Sequence, residues 1–154
     1  MDTILLLLTT TRETPKTADY MFSQAKKGKC FLDALFILDP GMGQALSKKL
    51  EQTSFLGESS CSDIAQSLTR EYHQRGREKL DRLRESAVRE GLELRAVFRE
   101  GDVAEECLRA VELLKPKEVI LTKVKSSRLS RFIFSRSADR IQARAGCPVT
   151  VIEE

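Results

Sequence analysis

The stretch "EVILTKVKSSRLSRFIFSRSADRIQARAGCPVTVI", residues 118–152, decides how this chain folds. It opens with a short apolar run, Val119–Thr122, of the kind a strand shows when both its faces are buried. It closes with a second apolar run over 148–152, "PVTVI". Between them lie a charged turn and a helical pattern to about Ala145, stopped by Gly146. Two strands joined through a helix must run parallel, because a hairpin cannot connect them. The turn at 123–136 contains no glycine and carries five cations: Lys123, Lys125, Arg128, Arg131 and Arg136.

The same alternation extends upstream. Residues 3–9, "TILLLLT", read as a buried strand. They are too short and lack the preceding basic region of a signal peptide. Thr14 before Pro15 starts a helix, since proline is tolerated at the first helical position. Ala18, Met21, Phe22 and Ala25 share one face of it, and Gly28 ends it. "FLDALFILD", 31–39, is the second strand, and "PGMG" breaks it. Residues 41–62 read as irregular, with at most a short helix at "QALSKKLEQ". The "GMG" within them is a turn, and "SFLGESSCS" is a mobile loop in which Phe55 and Leu56 pack locally. A long helix is expected over 63–90, capped by Ser62, with Ile64, Leu68, Tyr72, Leu80, Leu83 and Ala87 inward. Gly76 is a weak point in this helix, and "RGREKLDRLRE", 75–85, forms a solvated face. A half-open strand follows at 92–98. Asp102 then caps a helix whose inner face holds Val103, Cys107, Ala110, Val111 and Leu114, and Pro116 stops it.

The order βαβ(α)αβαβαβ implies an α/β fold with a parallel sheet covered by helices on both faces, in one domain over 1–154. Ligands of such sheets sit beyond the strands' carboxyl ends, where strand order reverses. Those ends are Thr9–Arg12, Asp39–Gly43 and Thr122–Arg128.

Composition narrows the function classes. The chain has 154 residues and net charge +3, and it is 41% hydrophobic and 32% charged. The charge is uneven: residues 123–144 hold seven Lys or Arg and one acid, Asp139, so the remainder of the chain is net acidic. Local excess of this kind favours an anion near the turn rather than a wholly basic protein. Tyr20 and Tyr72 do not interleave with the basic segment as a nucleic-acid stacking platform requires, which argues against nucleic acid. Cys30, Cys61, Cys107 and Cys147 are far apart, which suits reduced core thiols in a cytoplasmic protein. His73, the single histidine, reads as a surface residue, so neither a transition-metal site nor a Ser–His–Asp group is expected. No GxxxxGK[ST] motif occurs, and no apolar run is long enough to span a bilayer.

Taken together, the segments resemble the universal stress protein family over essentially the whole chain. "ILLLLT" and its helix resemble the family's first strand and helix. "ALFILDP", 34–40, is similar to its second strand, which commonly ends in Asp-Pro. "REGDVAEECLRAVE", 99–112, is similar to its turn and helix before the fourth strand, and "LSRFIFSRSADRIQARAGCPVTVI" to its closing segment. The resemblance implies a Rossmann-like open five-stranded sheet of order 3-2-1-4-5, and dimers paired through the last strand at Val149, Thr150, Val151 and Ile152. That strand would lie at a sheet edge that needs covering, and a twofold partner covers it.

Many family members bind ATP through a signature Gly-x2-Gly-x9-Gly-(Ser/Thr). Aligned here, its positions hold Thr122, Lys125, Ser135 and Arg136. The first-strand Asp that contacts nucleotide is replaced by Thr9, while the apolar position lining the adenine pocket is Ile37. Glycine lets phosphate oxygens reach backbone amides without an intervening Cβ, so the substitutions imply that ATP is not held in the family's way. The expectation is a non-enzymatic, dimeric regulatory or interaction module without a cofactor. The alternative is a binding protein for ATP, another adenine nucleotide or a phosphorylated ligand. It would use Lys123, Lys125, Arg128, Arg131 and Arg136 with Thr9, Thr10, Ile37, Thr122, Ser135 and Ser137, because Lys and Arg hold phosphate through side chains. An acidic protein partner is a further candidate for the same cations.

Overall fold

In a computed structural model, residues 1–53, 56–124 and 128–154 are described. Five strands form one parallel sheet of order β3-β2-β1-β4-β5. They are β1 (Thr3–Leu8), β2 (Phe31–Leu38), β3 (Leu94–Glu100), β4 (Glu118–Lys123) and β5 (Val149–Glu153). The helices are α1 (Pro15–Gly28), α2 (Gly41–Thr53), α3 (Glu58–Arg89), α4 (Val103–Leu114) and α5 (Arg128–Arg144). The expected fold class and strand order are therefore found.

Side chains alternate across each strand, so the unbroken run Ile4–Leu8 serves two cores. Ile4, Leu6 and Leu8 pack with Met21, Phe22, Phe36, Leu80 and Ala87 beneath α1 and α3. Leu5 and Leu7 pack with Leu35, Ile37, Cys107, Val111 and Ile141 beneath α4 and α5. Each such fully buried aliphatic side chain stabilises the fold by about 1.5–3 kcal/mol. Cys30, Cys61 and Cys107 are buried and Cys147 is half-buried.

The helix boundaries follow local chemistry. Thr14 precedes Pro15 at the start of α1, as expected, but makes no side-chain cap bond. The left-handed residue ending α1 is Lys29 (φ 51°) rather than Gly28. The Asp102 carboxylate accepts from the Glu105 amide at 2.9 Å, the expected cap of α4. Gly91, in the left-handed region at φ +73°, follows α3.

The main departure lies between β2 and β3. The short helix allowed at 44–52 is found, but it extends over 41–53, and "GMG" is the first turn of α2 rather than a separate turn. The Asp39 carboxylate turns the chain into that helix by accepting from the Gly41 amide at 2.8 Å. Glycines at 41 and 43 lower the propensity, and packing of α2 on α3 outweighs it. The expected loop "SFLGESSCS" is helical from Glu58; Ser54 and Phe55 lie outside the described residues. Gly57, not Ser62, occupies the cap position of α3. Ile64 and Leu68, expected inward, are exposed, while Cys61 and Ala65 are buried. The inward stripe is set at the sheet end by Leu80 and Ala87 and passes through Gly76 and Tyr72. Extended backwards at helical period, it reaches Ala65 and Cys61.

Two further expectations on α3 are corrected. Gly76 is a close-packing residue: a Cβ there would lie 2.8 Å from Phe36 Cε1 and 2.9 Å from Phe98 Cε2. Those two rings stack at 5.2 Å between centroids. The charged stretch 75–85 is not wholly solvated, since Lys79 is buried at 5% exposure.

Candidate ligand site at the switch point

The strand order reverses between β1 and β4, which lie side by side with Leu7 opposite Leu121. Their carboxyl ends, the first turn of α1 and the end of β5 surround the crevice where ligands of this architecture bind.

Three carbonyls of the loop after β1 are held from α3. The Tyr72 hydroxyl donates to Thr9 O. The Lys79 ammonium donates to Thr10 O at 3.2 Å and also to Arg12 O. Thr10 Oγ1 accepts from the Arg12 amide at 3.2 Å. Burial pushes the Tyr72 phenol up to about 12. It pulls the Lys79 ammonium down to about 8, with the Glu13 and Glu154 carboxylates opposing that fall and Arg82 adding to it. Glu13 is itself paired with Arg82 at 2.8 Å. A cavity of about 320 Å³ adjoins Lys79 between α1 and α3, lined by Glu13, Pro15, Phe22 and Arg82 among others.

From the other side, Thr122 at the end of β4 is buried and donates its hydroxyl to Thr17 Oγ1 at 3.1 Å. Thr17, wholly buried, passes the chain on. Its hydroxyl donates to Glu154 Oε1 at 3.1 Å, and its amide donates to the same oxygen at 2.8 Å. Glu154 is fixed in turn by its amide, which donates to Lys123 O at 2.9 Å.

Of the residues picked from the sequence, Thr9, Thr10 and Thr122 meet at this crevice. Lys123 is exposed at its rim, with its ammonium 3.6 Å from Glu153. Ile37 is buried in the core beneath α4 and α5. Arg136 is exposed and Ser137 half-buried on α5. Lys125 lies outside the described residues, as do the side chains of Arg128, Arg131 and Ser135. Arg140, counted in the basic segment, pairs instead with Asp102 at 3.2 Å.

Sequence reading missed Lys79, Tyr72, Thr17 and Glu154. Lys79 sits three residues beyond Gly76 on the inward stripe, and that phase was the available signal. Nothing local marks Glu154, which reaches Thr17 across 137 positions of chain.

Elsewhere, Asp33 and Arg95 face each other across β2 and β3 and pair in bidentate fashion at 2.8 and 3.0 Å. They line a groove of about 670 Å³ beside α4, away from the switch point. Burial raises the Cys107 thiol to about 12, which makes it inert at neutral pH. His73 is half-buried against Phe98, at 4.2 Å between ring centroids, with Nε2 3.4 Å from Glu100. Among the described residues no cluster of three His, Cys, Asp or Glu is placed to hold a metal. No helix among them is long and apolar enough to cross a membrane.

An open parallel sheet of this order with a crevice between β1 and β4 defines a Rossmann-like α/β protein. The profile of the universal stress protein family matches residues 1–153, and the chain belongs to that family. Solved structures share the fold. A universal stress family protein from Burkholderia pseudomallei is 20% identical with a TM-score of 0.60, over 98% of this chain and 95% of that one. UspA of Lactobacillus plantarum is 12% identical with a TM-score of 0.69, over 98% and 97%. The Archaeoglobus fulgidus universal stress protein in complex with dAMP is 12% identical with a TM-score of 0.64, over 99% and 98%. No curated protein matches the sequence.

Proposed function

We propose that this chain is a non-enzymatic, dimeric regulatory or interaction module of the cytoplasm, one domain throughout, that does not hold ATP in the glycine-cradled manner. The observation that carries this reading is the state of Thr122. At the first signature position its side chain is buried and committed to Thr17. A phosphate approaching the backbone there meets a Cβ and a methyl group instead of open amides. The loss of the acid at Thr9 acts in the same direction, since a neutral hydroxyl stands where the carboxylate would contact nucleotide. Pairing of two copies is assigned to the β5 edge, at Val149, Thr150, Val151 and Ile152.

Isothermal titration with Mg–ATP tests the nucleotide part. No saturable heat is expected up to millimolar nucleotide, and a micromolar affinity overturns the reading.

A second reading draws on the dAMP complex of the Archaeoglobus relative. Here an adenine nucleotide, another phosphorylated ligand or an acidic partner is held by Lys123, Lys125, Arg128, Arg131 and Arg136. It requires saturable thermal stabilisation by such a ligand, lost in the Lys125→Glu/Arg136→Glu double variant.

A further inference from the structure

A carboxylate already sits at the switch point. Glu154 Oε1 takes both the amide and the hydroxyl of Thr17, at 2.8 and 3.1 Å, in the first turn of α1. Through Thr17 it is linked to Thr122, the residue at the first signature position. The helix has need of such a group, because Thr14 at its cap position contributes no side-chain bond. An anion at that place gains from the Thr17 amide and the positive end of the helix dipole. It also lies near the buried Lys79 ammonium, whose titration it influences. The donors that would greet a phosphate oxygen entering the crevice are therefore already satisfied by the chain itself.

We propose that Glu154 is an autoinhibitory group, an internal anion that must leave Thr17 before the phosphate of an incoming ligand can settle at the β1–β4 crevice. The proposal rests on the reading above, that the unaltered chain takes no ATP there, and adds a cause that can be reversed. The block at Thr122 is steric and denies phosphate the backbone cradle, whereas the block at Glu154 is electrostatic, acts at the Thr17 donors of α1, and lies on a side chain that can swing away. Two like charges at one seat repel strongly when partly desolvated, so a phosphate and the Glu154 carboxylate exclude one another.

The experiment compares the unaltered chain with Glu154→Gln and Glu154→Ala, titrated calorimetrically with inorganic pyrophosphate and with ATP at low ionic strength. Glu154→Gln keeps an oxygen acceptor for Thr17 and removes only the charge, so α1 stays capped. Both variants are expected to bind pyrophosphate roughly tenfold or more tightly than the unaltered chain, with the gain fading as salt rises. If both are folded by circular dichroism and bind no better, Glu154 is only a helix cap and the proposal falls. Should the unaltered chain bind ATP at micromolar concentration, the Proposed function falls instead. The ratio of variant to unaltered affinity still decides the role of Glu154.

Discussion

At the scale of single residues, Lys79 departs most from the usual behaviour of its kind. A lysine buried at 5% exposure gives up hydration, and two backbone carbonyls return part of it. Its pKa falls from 10.5 to about 8, so it binds its proton less tightly in the folded chain than in the unfolded one. The resulting cost to stability is fully present below pH 8. It is relieved as pH rises toward 10.5, because only the unfolded chain then still holds the proton. Tyr72 acts in the opposite sense. Its phenol is raised from 10.0 to about 12, so the stability it contributes is intact below pH 10 and lost between 10 and 12. Urea denaturation of the unaltered chain and of Lys79→Met at pH 7, 8, 9 and 10 isolates the lysine, since any constant offset cancels. The unaltered chain should gain on the variant by about 2 kcal/mol between pH 8 and 10. A difference that stays flat with pH would show that Lys79 titrates normally.

At the scale of elements, α3 shows why a residue's worth depends on what faces it. By propensity, glycine inside a helix costs about 1 kcal/mol against alanine, so Gly76→Ala would be stabilising on a solvent face. Here the added methyl would be driven to 2.8–2.9 Å from the stacked rings of Phe36 and Phe98. The Phe36 ring has no free space to retreat into, since it is wholly buried and also packs on Tyr72 at 5.9 Å. Overpacking should win, and Gly76→Ala should lose about 1–3 kcal/mol in thermal or chemical unfolding. An increase in melting temperature would contradict this packing. The same helix carries Tyr72, Lys79 and Gly76 on one stripe. A displacement of α3 would therefore reach the loop at Thr9–Arg12 directly.

At the scale of the whole molecule, the two free edges of the sheet differ in character. The β3 edge carries Arg95, Arg99 and Glu100, charges of the kind that discourage pairing. The β5 edge carries Val149, Thr150, Val151 and Ile152, all half-exposed. In β5 the even-numbered backbone groups face β4, as seen in the bonds of Pro148 O with Val119 and of the Glu154 amide with Lys123 O. Parallel ladders alternate, so Val151 turns its amide and carbonyl outward. Val151→Pro removes an outward donor and leaves the β4 ladder intact. Light scattering at micromolar concentration should give twice the 17.4 kDa chain mass for the unaltered protein and the single mass for Val151→Pro. A monomer in both cases would remove the β5 pairing.

The sequence by itself determined the alternation of strands and helices, the helix start at Pro15, the cap at Asp102, and the strand order through its family resemblance. Those signals are local or periodic: a buried strand such as Ile4–Leu8 announces itself in five consecutive residues. It also marked Thr9, Thr10 and Thr122 as strand ends of interest. It disclosed α2 only in part, as a short helix at 44–52, because two glycines hide a first turn sustained by packing on α3, and it did not disclose the true role of Gly76. Only the tertiary structure decided that a lysine in a charged run is buried, or that Glu154 caps a helix begun at Pro15. Those outcomes depend on contacts between distant parts of the chain, whose energies come from burial and from partners that no local window contains.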